Sequence, residues 1–503
     1  MLGYLTSENY PYAYKLMDKT YLFYDLETTG LDVSFDQIVQ FAAIRCDQNL
    51  NELKRYNFLV KLNPDTIPSA YASITHHISI SEANTKGMTE YEAVKKIHQL
   101  LNTPNTISLG FNTLGFDDEF LRFSFYRNLL DPYSHQYKNG SMRMDIYPMA
   151  IMYYLHDHDR LNWPKNGDGH ISFKLEDINQ ANQLVTEGRA HDALVDVEVT
   201  LALARKLKEN ASMWRYLENL FIKQNDQTQL SKLDDFKTIH QDKLALGLLT
   251  NGKFGARNHY QSLAVNLGTH RHYKNQSCWL RLDIENFEKS VLKYLNPDEK
   301  DHDSNDESEK LSFPSVNKKF GETPFLIPPL ARFTDKLAPK KNQLVESNLA
   351  WLNENETVYQ NLKNTILDYT YPEIEQIDPQ SNLYVSGFLS PQENKQTFSF
   401  HQRDIKGKNQ LLNQLPKSLF DRALRIIGRI NPNSLSPEHL SLFQNYLESI
   451  VEYEKEKRPC NYRGEFRRGL NDVYDEVHQL YQNELSFEQQ NLLDELMNYL
   501  NIN

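Results

Sequence analysis

The chain has 503 residues and a net charge of −12, and its length predicts about three domains rather than one core. No run of about 18 apolar residues occurs, which excludes a membrane-spanning helix, and the N-terminus lacks the charged start and apolar block of a secretory signal. The three cysteines lie far apart and form no CxxC pair, which predicts a reducing cytoplasmic location, and the acidic balance argues against indiscriminate binding of nucleic acid.

The first 205 residues predict alternating strands and helices. Strand patterns occur at 21–25, 38–46, 55–62 and 106–112, and helical patterns at 88–101, 117–129 and 191–208. Such alternation is typical of an α/β sheet domain, which we place at 1–210.

Two further parts are predicted after this domain. Residues 211–366 contain strand-like alternation and Asn-Gly turn signals, so we predict a small β-rich domain, with the acidic run 298–309 as a solvated loop. Residues 367–503 carry helical periodicity, for example at 417–430 and 437–457, and predict a helical domain.

A pair of carboxylates ends the first predicted strand. Asp25 and Glu27 are two residues apart, so both side chains project from the same face of the strand. They lie at its carboxyl end, where open α/β sheets usually bind ligands. Taken alone, such a pair is more often a solvated strand end than a catalytic site.

A third acid opens a predicted helix. Asp117 follows the buried strand at 106–112. An acid in the first turn of a helix often only interacts with the helix dipole, and Asp118 and Glu119 fit that role.

A histidine and a fourth acid lie near the start of the helix at 191–208. His191 and Asp196 are five residues apart and would differ by about 140° on one helix. They can converge only if His191 precedes the helix and Asp196 lies one turn inside it, with Asp192 as the N-cap.

Together these residues predict a centre that cleaves phosphodiester bonds. Two Mg²⁺ ions about 4 Å apart can activate a water and stabilise the leaving oxygen. Carboxylate oxygens suit Mg²⁺, with Mn²⁺ as a substitute, and argue against zinc. A histidine can accept the proton of the attacking water near neutral pH.

The segments FYDLETTG, NTLGFDDEFL and AHDALVDV resemble the motifs of the DEDD exonucleases with a catalytic histidine, in the same order and spacing. The resemblance implies a ribonuclease H-like exonuclease domain with a mixed sheet. Further segments, such as FYRNLLDPYSHQY and YVSGFLS, are similar to one bacterial branch of this family. In that branch an SH3-like β-rich domain and a C-terminal helical domain follow, and the three parts enclose one DNA strand.

The resemblance implies a role for each residue of the centre. Asp25, Glu27 and Asp196 would bind the catalytic metal, with Asp25 bridging to the second ion. Asp117 would hold the second metal, and His191 would be the general base. Glu27 also lies where the family contacts the terminal nucleotide.

Four further residues are predicted to contact the substrate by resemblance. Lys174 stands where relatives have an arginine, and a lysine keeps the charge but loses the bidentate fork. Arg122, Tyr133 and Tyr137 lie in a stretch similar to a DNA-lining segment of the relatives. For the tyrosines, an ordinary role in the core is the alternative. In the segment ITHHIS at 74–79, where the family more often has a glycine, both histidines are predicted to be structural.

Two basic clusters lie in the last part of the chain. Each is a solvated face, a phosphate track or, by resemblance, a pocket for the acidic C-terminal tail of single-strand-binding protein, and the sequence leaves these open. The clusters are Arg403, Lys406 and Lys408, and Arg458, Arg463, Arg467 and Arg468.

The sequence therefore predicts a 3′→5′ exonuclease that digests single-stranded DNA processively to 5′-mononucleotides. By resemblance it would be a nucleoid-associated monomer in mismatch repair and recombination. An exoribonuclease is the alternative within the class, and an inactive binding module is the alternative outside it. No GxxxxGK[ST] loop and no GxSxG elbow occur, which excludes a P-loop nucleotidase and a serine hydrolase of that type.

Overall fold

The computed structural model describes residues 18–186, 188, 191–296, 313–334, 337 and 339–502. They divide into two compact units. The first unit lies within Met1–Asp145, Gln183–Leu203 and Glu373–Asn503, and the second within Ile146–Asn182 and Ala204–Pro372.

The described strands and helices follow in chain order. The strands are β1 (Thr20–Thr28), β2 (Ile38–Cys46), β3 (Glu52–Leu59), β4 (Thr106–Leu109), β5 (Met142–Arg143), β6 (Phe236–Ile239), β7 (Asp242–Thr250), β8 (Gln261–Thr269), β9 (Gln276–Arg281), β10 (Ser315–Lys319) and β11 (Phe325–Ile327). The helices are α1 (Ala70–His76), α2 (Ile80–Lys86), α3 (Glu90–Leu101), α4 (Asp117–Arg127), α5 (Ile146–His156), α6 (Leu175–Asn182), α7 (Ala193–Lys208), α8 (Ala211–Leu220), α9 (Lys223–Leu230), α10 (Phe287–Leu295), α11 (Ala331–Thr334), α12 (Pro339–Glu354), α13 (Glu356–Asp368), α14 (Pro391–Gln402), α15 (Ile405–Leu412), α16 (Lys417–Ile430), α17 (Pro437–Ile450), α18 (Leu470–Leu480) and α19 (Phe487–Ile502).

The first unit contains a mixed five-stranded sheet in the order β3-β2-β1-β4-β5. The pairs β1/β2 and β2/β3 are antiparallel, and β1/β4 and β4/β5 are parallel. One face of the sheet carries Leu22, Tyr24 and Phe41, which pack with apolar residues of α3 and α4. On the other face of β1, Tyr21 and Phe23 are also buried, and only Asp25 and Glu27 near the carboxyl end are partly exposed.

The C-terminal helices pack on the part of this unit that carries the mixed sheet. Val39 and Leu62 share one core with Val477 of α18 and Leu493 of α19, and Leu129 shares another with α16. Burial of these apolar surfaces joins the two ends of the chain in one unit.

Buried ion pairs add to this packing. Arg429 of α16 forms a forked pair with Asp65, with hydrogen bonds of 2.9 and 2.6 Å, and Arg425 pairs with Asp378 at 2.6 Å. Burial opposes ionisation of Asp65, but the facing Arg429 holds its pKa well below the usual range. Breaking such a pair leaves one buried charge unpaired, which is strongly destabilising.

The second unit contains an antiparallel sheet in the order β10-β9-β8-β7-β11, with β6 pairing with β7. Trp279 and Leu326 lie in its core, and the fully buried Lys318 pairs with Asp226 at 2.6 Å. The β-rich character of this region agrees with the sequence. Its SH3-like identity stays a prediction.

The mixed sheet and the helical C-terminal part are confirmed. One predicted helix is shorter than expected: α17 ends at Ile450 rather than near residue 457. The Arg458 guanidinium donates to the carbonyls of Glu452 and Tyr453, so these groups do not continue the helix.

The division at 1–210, 211–366 and 367–503 stays a prediction, and the acidic run 298–309 lies outside the described residues. Within the described ranges, no helix is long and apolar enough to cross a membrane.

Candidate metal centre

Asp25 and Glu27 project from the same face of β1. Their partners in β2 are Ala42 and Gln40, and a register shift between Glu27 and Thr28 ends the regular pairing. The strand therefore buries its apolar face and presents two carboxylates at its carboxyl end, on the edge where open α/β sheets bind ligands.

Asp196 reaches the same place from the first turn of α7. Three carboxylate oxygens, one from each of Asp25, Glu27 and Asp196, lie within 4.8 Å of one another. The start of the helix is fixed by Asp192, whose Oδ1 accepts a hydrogen bond from the Leu194 amide at 3.0 Å. This contact is the N-cap that the sequence predicts.

Asp117 is the first residue of α4 and is buried. Its Oδ1 accepts a hydrogen bond of 3.2 Å from the backbone amide of Leu26. Because Leu26 lies between Asp25 and Glu27, this bond places the Asp117 carboxylate beside the pair, although it is not one of the three clustered oxygens.

The pKa values of these acids are raised. Burial, and then the charges of Asp117 and Glu27, raise the pKa of Asp25 well above its usual value. Burial and the charge of Asp196 raise the pKa of Glu27 to about 9. Burial and the charge of Asp145 raise the pKa of Asp117 to about 8. Without a cation, this centre therefore holds protons at neutral pH.

His191 lies in the turn before α7, with a left-handed φ of 61°. Its backbone amide donates to Asp196 Oδ2 at 3.2 Å. The histidine and the acid thus converge through the backbone, because the histidine precedes the helix and the acid lies inside it. The residue is exposed, so its imidazole is open to solvent.

Asp145 is an acid that the sequence analysis missed. It is buried, and its two carboxylate oxygens accept hydrogen bonds from the amides of Asn112 at 2.8 Å and Leu114 at 3.0 Å. These amides belong to the loop that leads to Asp117. A sequence signal existed, since Asp145 directly follows β5, at the same edge of the sheet.

Asp118 has the opposite electrostatic environment to its neighbour Asp117. It is fully buried and pairs with Arg122 at 3.0 Å, with Arg143, and with His135 at 3.1 Å. Burial opposes its ionisation, but Arg143 and Arg122 hold its pKa far below the usual range. Asp118 is thus a permanently charged anchor of α4 in addition to a first-turn acid.

The predicted substrate contacts divide between the units. Arg122, Tyr133 and Tyr137 belong to the first unit, and Lys174 to the second. Tyr137 is exposed, whereas Tyr133 is half-buried and packs on the core. Lys174 is exposed, and its ammonium lies 3.9 Å from Glu176. Substrate contact by these four residues stays a prediction.

An exposed aromatic face adjoins α4, and the sequence analysis missed most of it. Phe388 is 90% exposed, and its ring lies 6.0 Å from that of Tyr133. Tyr384 accepts a hydrogen bond from Arg122 at 3.2 Å and packs edge-on against Tyr462. Gly387, at φ 69° with open space around it, allows the loop before Phe388 to project.

The second basic cluster is mostly structural. Arg458 and Arg467 are buried; Arg458 pairs with Asp472, and Arg467 donates to the backbone of Asp65. Arg468 also forms ion pairs within the unit. Of the four arginines, Arg463 alone has a largely exposed side chain.

The two histidines of ITHHIS have no part in the centre. His76 is buried, its Nδ1 accepts a hydrogen bond from the Ile78 amide, and burial and His77 lower its pKa to about 4. His77 caps α1 at φ 57°, a left-handed conformation common at helix C-caps.

The donor set suits hard divalent cations. Asp25, Glu27 and Asp196 supply oxygens only, at a spacing that suits one cation. Burial and then the neighbouring carboxylates raise the pKa values of Asp25 and Glu27, and a cation would relieve the repulsion between the charges. Asp117 supplies a further carboxylate next to them. This chemistry fits Mg²⁺ or Mn²⁺ better than a closed zinc site of sulfur and nitrogen ligands.

Part of the chain matches a known family. Residues 22–204 match the family model RNase_T, described as exonuclease. These residues contain all five predicted catalytic positions, so the likeness to this family covers the whole candidate centre.

Within that family, the chain is similar to bacterial exodeoxyribonuclease I. It is 34% identical to the enzyme of Escherichia coli (strain K12) over 257 residues, which are 51% of this chain and 52% of the relative. It is 34% identical to that of Buchnera aphidicola (subsp. Schizaphis graminum) over 262 residues, 52% of each chain. The chain thus spans about half the length of these curated relatives.

The structural likeness extends further. The crystal structure of E. coli exonuclease I with a dA16 oligonucleotide has a TM-score of 0.80 and 25% identity, over 96% of this chain and 100% of that one. Exonuclease I of Methylocaldum szegediense, at 23% identity, has the same fold with a TM-score of 0.80, over 96% of this chain and 99% of that one. The resemblance and the fold class predicted from the sequence are confirmed.

Proposed function

We propose that this chain is a metal-dependent 3′→5′ exonuclease that digests single-stranded DNA to 5′-mononucleotides. The observation that carries the proposal is the cluster of Asp25, Glu27 and Asp196 oxygens within 4.8 Å of one another, in an exonuclease-family domain. Solved structures of E. coli exonuclease I in complex with single-stranded oligonucleotides support DNA as the substrate.

The carboxylates would hold two cations, Mg²⁺ or Mn²⁺. Asp25, Glu27 and Asp196 would bind the first, with Asp25 shared, and Asp117 would bind the second. Bound cations would supply an activated water and charge stabilisation at the leaving oxygen. The chain itself fixes the ligands, because the Leu26 amide joins β1 to Asp117 of α4 and the Asp192 cap fixes the start of α7.

His191 would accept the proton of the attacking water. Its backbone is held to Asp196 at 3.2 Å, and the residue is exposed to solvent. A base held by its backbone can take the proton at the site and release it to bulk water.

The aromatic face beside α4 supports binding of a single strand. Single strands bind through stacking of bases on exposed aromatic rings and through cations that follow the backbone. Phe388 offers the exposed ring, with Tyr133 behind it, and Arg122 and Arg463 supply charge. Glu27 at the centre would contact the terminal nucleotide, and Lys174 and Tyr137 are further proposed contacts.

The wider biological role rests on the family resemblance. We place the enzyme in the cytoplasm with the nucleoid, as a monomer that acts in DNA repair, including mismatch repair, and in recombination. Single-strand-binding protein is the proposed protein partner, through its acidic C-terminal tail. Processive digestion is part of this proposal, and the division at 1–210, 211–366 and 367–503 is proposed with it.

The test uses a single-stranded DNA oligonucleotide labelled at its 5′ end and the matched RNA. Each is incubated with the full chain and Mg²⁺, and its length is followed on a gel. We expect a descending ladder for DNA, mononucleotide products and intact RNA. Shortening of RNA alone would establish the exoribonuclease instead, and no change in either strand would favour a binding module.

A further inference from the structure

A pocket lined by lysine side chains lies on the side of the sheet away from the metal centre. Asp25 and Glu27 point from one face of β1, whereas α3 packs on the opposite face through Val94 and Ile97. A surface pocket of about 560 Å³ lies against the outer side of α3, between this helix and α15. The pocket is therefore separate from the carboxylate cluster.

Two lysines converge on one aromatic ring in this pocket. The ammonium nitrogens of Lys95 and Lys408 lie 5.2 and 5.4 Å from the centroid of the Tyr91 ring. The ring is fixed, because the Tyr91 hydroxyl bonds to His401 Nδ1 at 2.8 Å. Lys96 also lines the pocket, so its rim carries a third positive charge.

No carboxylate of the described residues forms an ion pair with Lys95 or Lys408. The Lys408 ammonium donates to the carbonyl of Arg403, a neutral partner, although the residue is buried. Two nearby acids take part in helix caps. The Glu92 carboxylate accepts a hydrogen bond from the Thr89 hydroxyl, and the Asp404 carboxylate accepts one from the Gly407 amide. Buried charges are normally paired. Within the described part of the chain, Lys408 thus has no ion-pair partner, although Glu92 lines the pocket and the charge of Asp404 acts on Lys408.

The excess positive charge also affects neighbouring groups. Burial and then the charge of Lys95 lower the pKa of Lys408. Burial lowers the pKa of His401 to about 4, with Lys95 and Lys408 acting in the same direction. An anion between the two ammonium groups would remove this repulsion.

We propose that Lys95 and Lys408 form a phosphate-binding site remote from the metal centre. A tetrahedral oxyanion can accept hydrogen bonds from two separate ammonium groups, as lysines bind phosphate in other proteins. The phosphate would come from the backbone of a bound DNA strand or from free phosphate. Its assignment to a DNA strand rests on the proposed function, whereas phosphate binding itself does not.

The test measures binding without turnover, in EDTA. Inorganic phosphate is titrated by calorimetry into the full chain, the double variant Lys95→Gln/Lys408→Gln and the control Lys86→Gln/Lys457→Gln. The control removes the same charge from two lysines that are paired with Glu82 and Glu454. Because Lys408 is buried, the single variant Lys95→Gln and a thermal melt separate loss of binding from loss of folding.

We expect saturable phosphate binding in the wild type and the control, and affinity weaker by at least about tenfold in the double variant. A second arm measures binding of oligo(dT) against salt concentration. A slope smaller by about 0.7 in the double variant identifies the DNA backbone as the source. An unchanged slope identifies free phosphate.

Absence of saturable phosphate binding in the wild type would overturn the proposal, as would equal binding by the double variant. Binding of an oligo-aspartate peptide at these lysines without phosphate binding would also overturn it. The nuclease assay is separate, so failure of the proposed exonuclease function leaves the phosphate result intact.

Discussion

The carboxylate of Asp117 accepts a hydrogen bond of 3.2 Å from the backbone amide of Leu26. The amide is fixed, because the Leu26 side chain is buried in the core on the opposite face of β1. This bond joins the start of α4 to the strand that carries Asp25 and Glu27. The separation of the carboxylates is therefore set by backbone and core packing rather than by flexible side chains.

The raised pKa values predict how metal-free protein responds to pH. The pKa is about 9 for Glu27 and about 8 for Asp117 in the fold, against about 4 in an unfolded chain. The folded state thus binds more protons at these two carboxylates across this interval, so their contribution to stability is fully present below about pH 4 and is lost as pH rises through 8 and 9.

Thermal unfolding in EDTA, followed from pH 5 to pH 9, measures this effect. We expect the midpoint to fall by about 5 °C or more, and Mg²⁺ to reverse the fall by binding the ionised carboxylates. The double variant Glu27→Gln/Asp117→Asn should lose most of the dependence. A wild-type midpoint that rises with pH over this range would contradict the assigned electrostatics.

Replacement of His191 should change rate without changing metal affinity. His191→Asn removes the base, so single-turnover cleavage should slow by about 10²–10⁴-fold. Calorimetry with Mn²⁺ serves as the control, because His191 is not among the clustered ligands. An unchanged single-turnover rate in the variant would remove His191 from the reaction.

Asp145 should act as a positioning residue. Asp145→Ala leaves the amides of Asn112 and Leu114 without their acceptors and loosens the loop before Asp117. We expect kcat to fall by about tenfold or more with KM for DNA nearly constant, and the metal concentration for half-maximal activity to rise.

Asp47→Ala is the matched control for Asp145. Asp47 also accepts two backbone amides, from Asn49 and Asn51, but in the exposed turn between β2 and β3. It should leave kcat unchanged. If kcat falls in both variants, and in each by an amount that follows the fall in its melting temperature, Asp145 contributes only to stability.

The aromatic face should bind the strand through stacking. Phe388→Ala should weaken binding of oligo(dT) in EDTA by about tenfold, while kcat at saturating DNA stays the same. Phe487, which is 79% exposed, provides the control substitution Phe487→Ala. If both variants bind as the wild type does, the strand does not use this face.

The sequence predicted the centre because its acids carry local signals. Asp25 and Glu27 lie at the end of a short apolar run, and His191 and Asp196 flank a helix start, so their geometry depends on neighbours close in sequence. The mixed sheet could be predicted for the same reason, since each element is a periodic run.

The missed features depend on contacts between distant segments. Asp145 acts on amides more than 30 residues away, and Asp118 is paired by Arg143, which no local pattern indicates. The arginines of the second basic cluster had the composition of a nucleic-acid patch. Whether each was exposed depended on acids elsewhere in the chain, such as Asp65 for Arg467.

The most direct test of the account measures Mn²⁺ binding and DNA digestion on the same preparations of wild-type protein and Asp25→Asn. A companion variant, Asp192→Asn, changes a neighbouring acid that caps α7 and is outside the three-oxygen cluster. We predict that Asp25→Asn loses the tight Mn²⁺ site and slows digestion of single-stranded DNA by about 10³-fold or more, yet still binds the strand. Digestion that continues at the wild-type rate in Asp25→Asn, or in wild-type protein with excess EDTA, would contradict the assignment of these carboxylates as the catalytic metal centre.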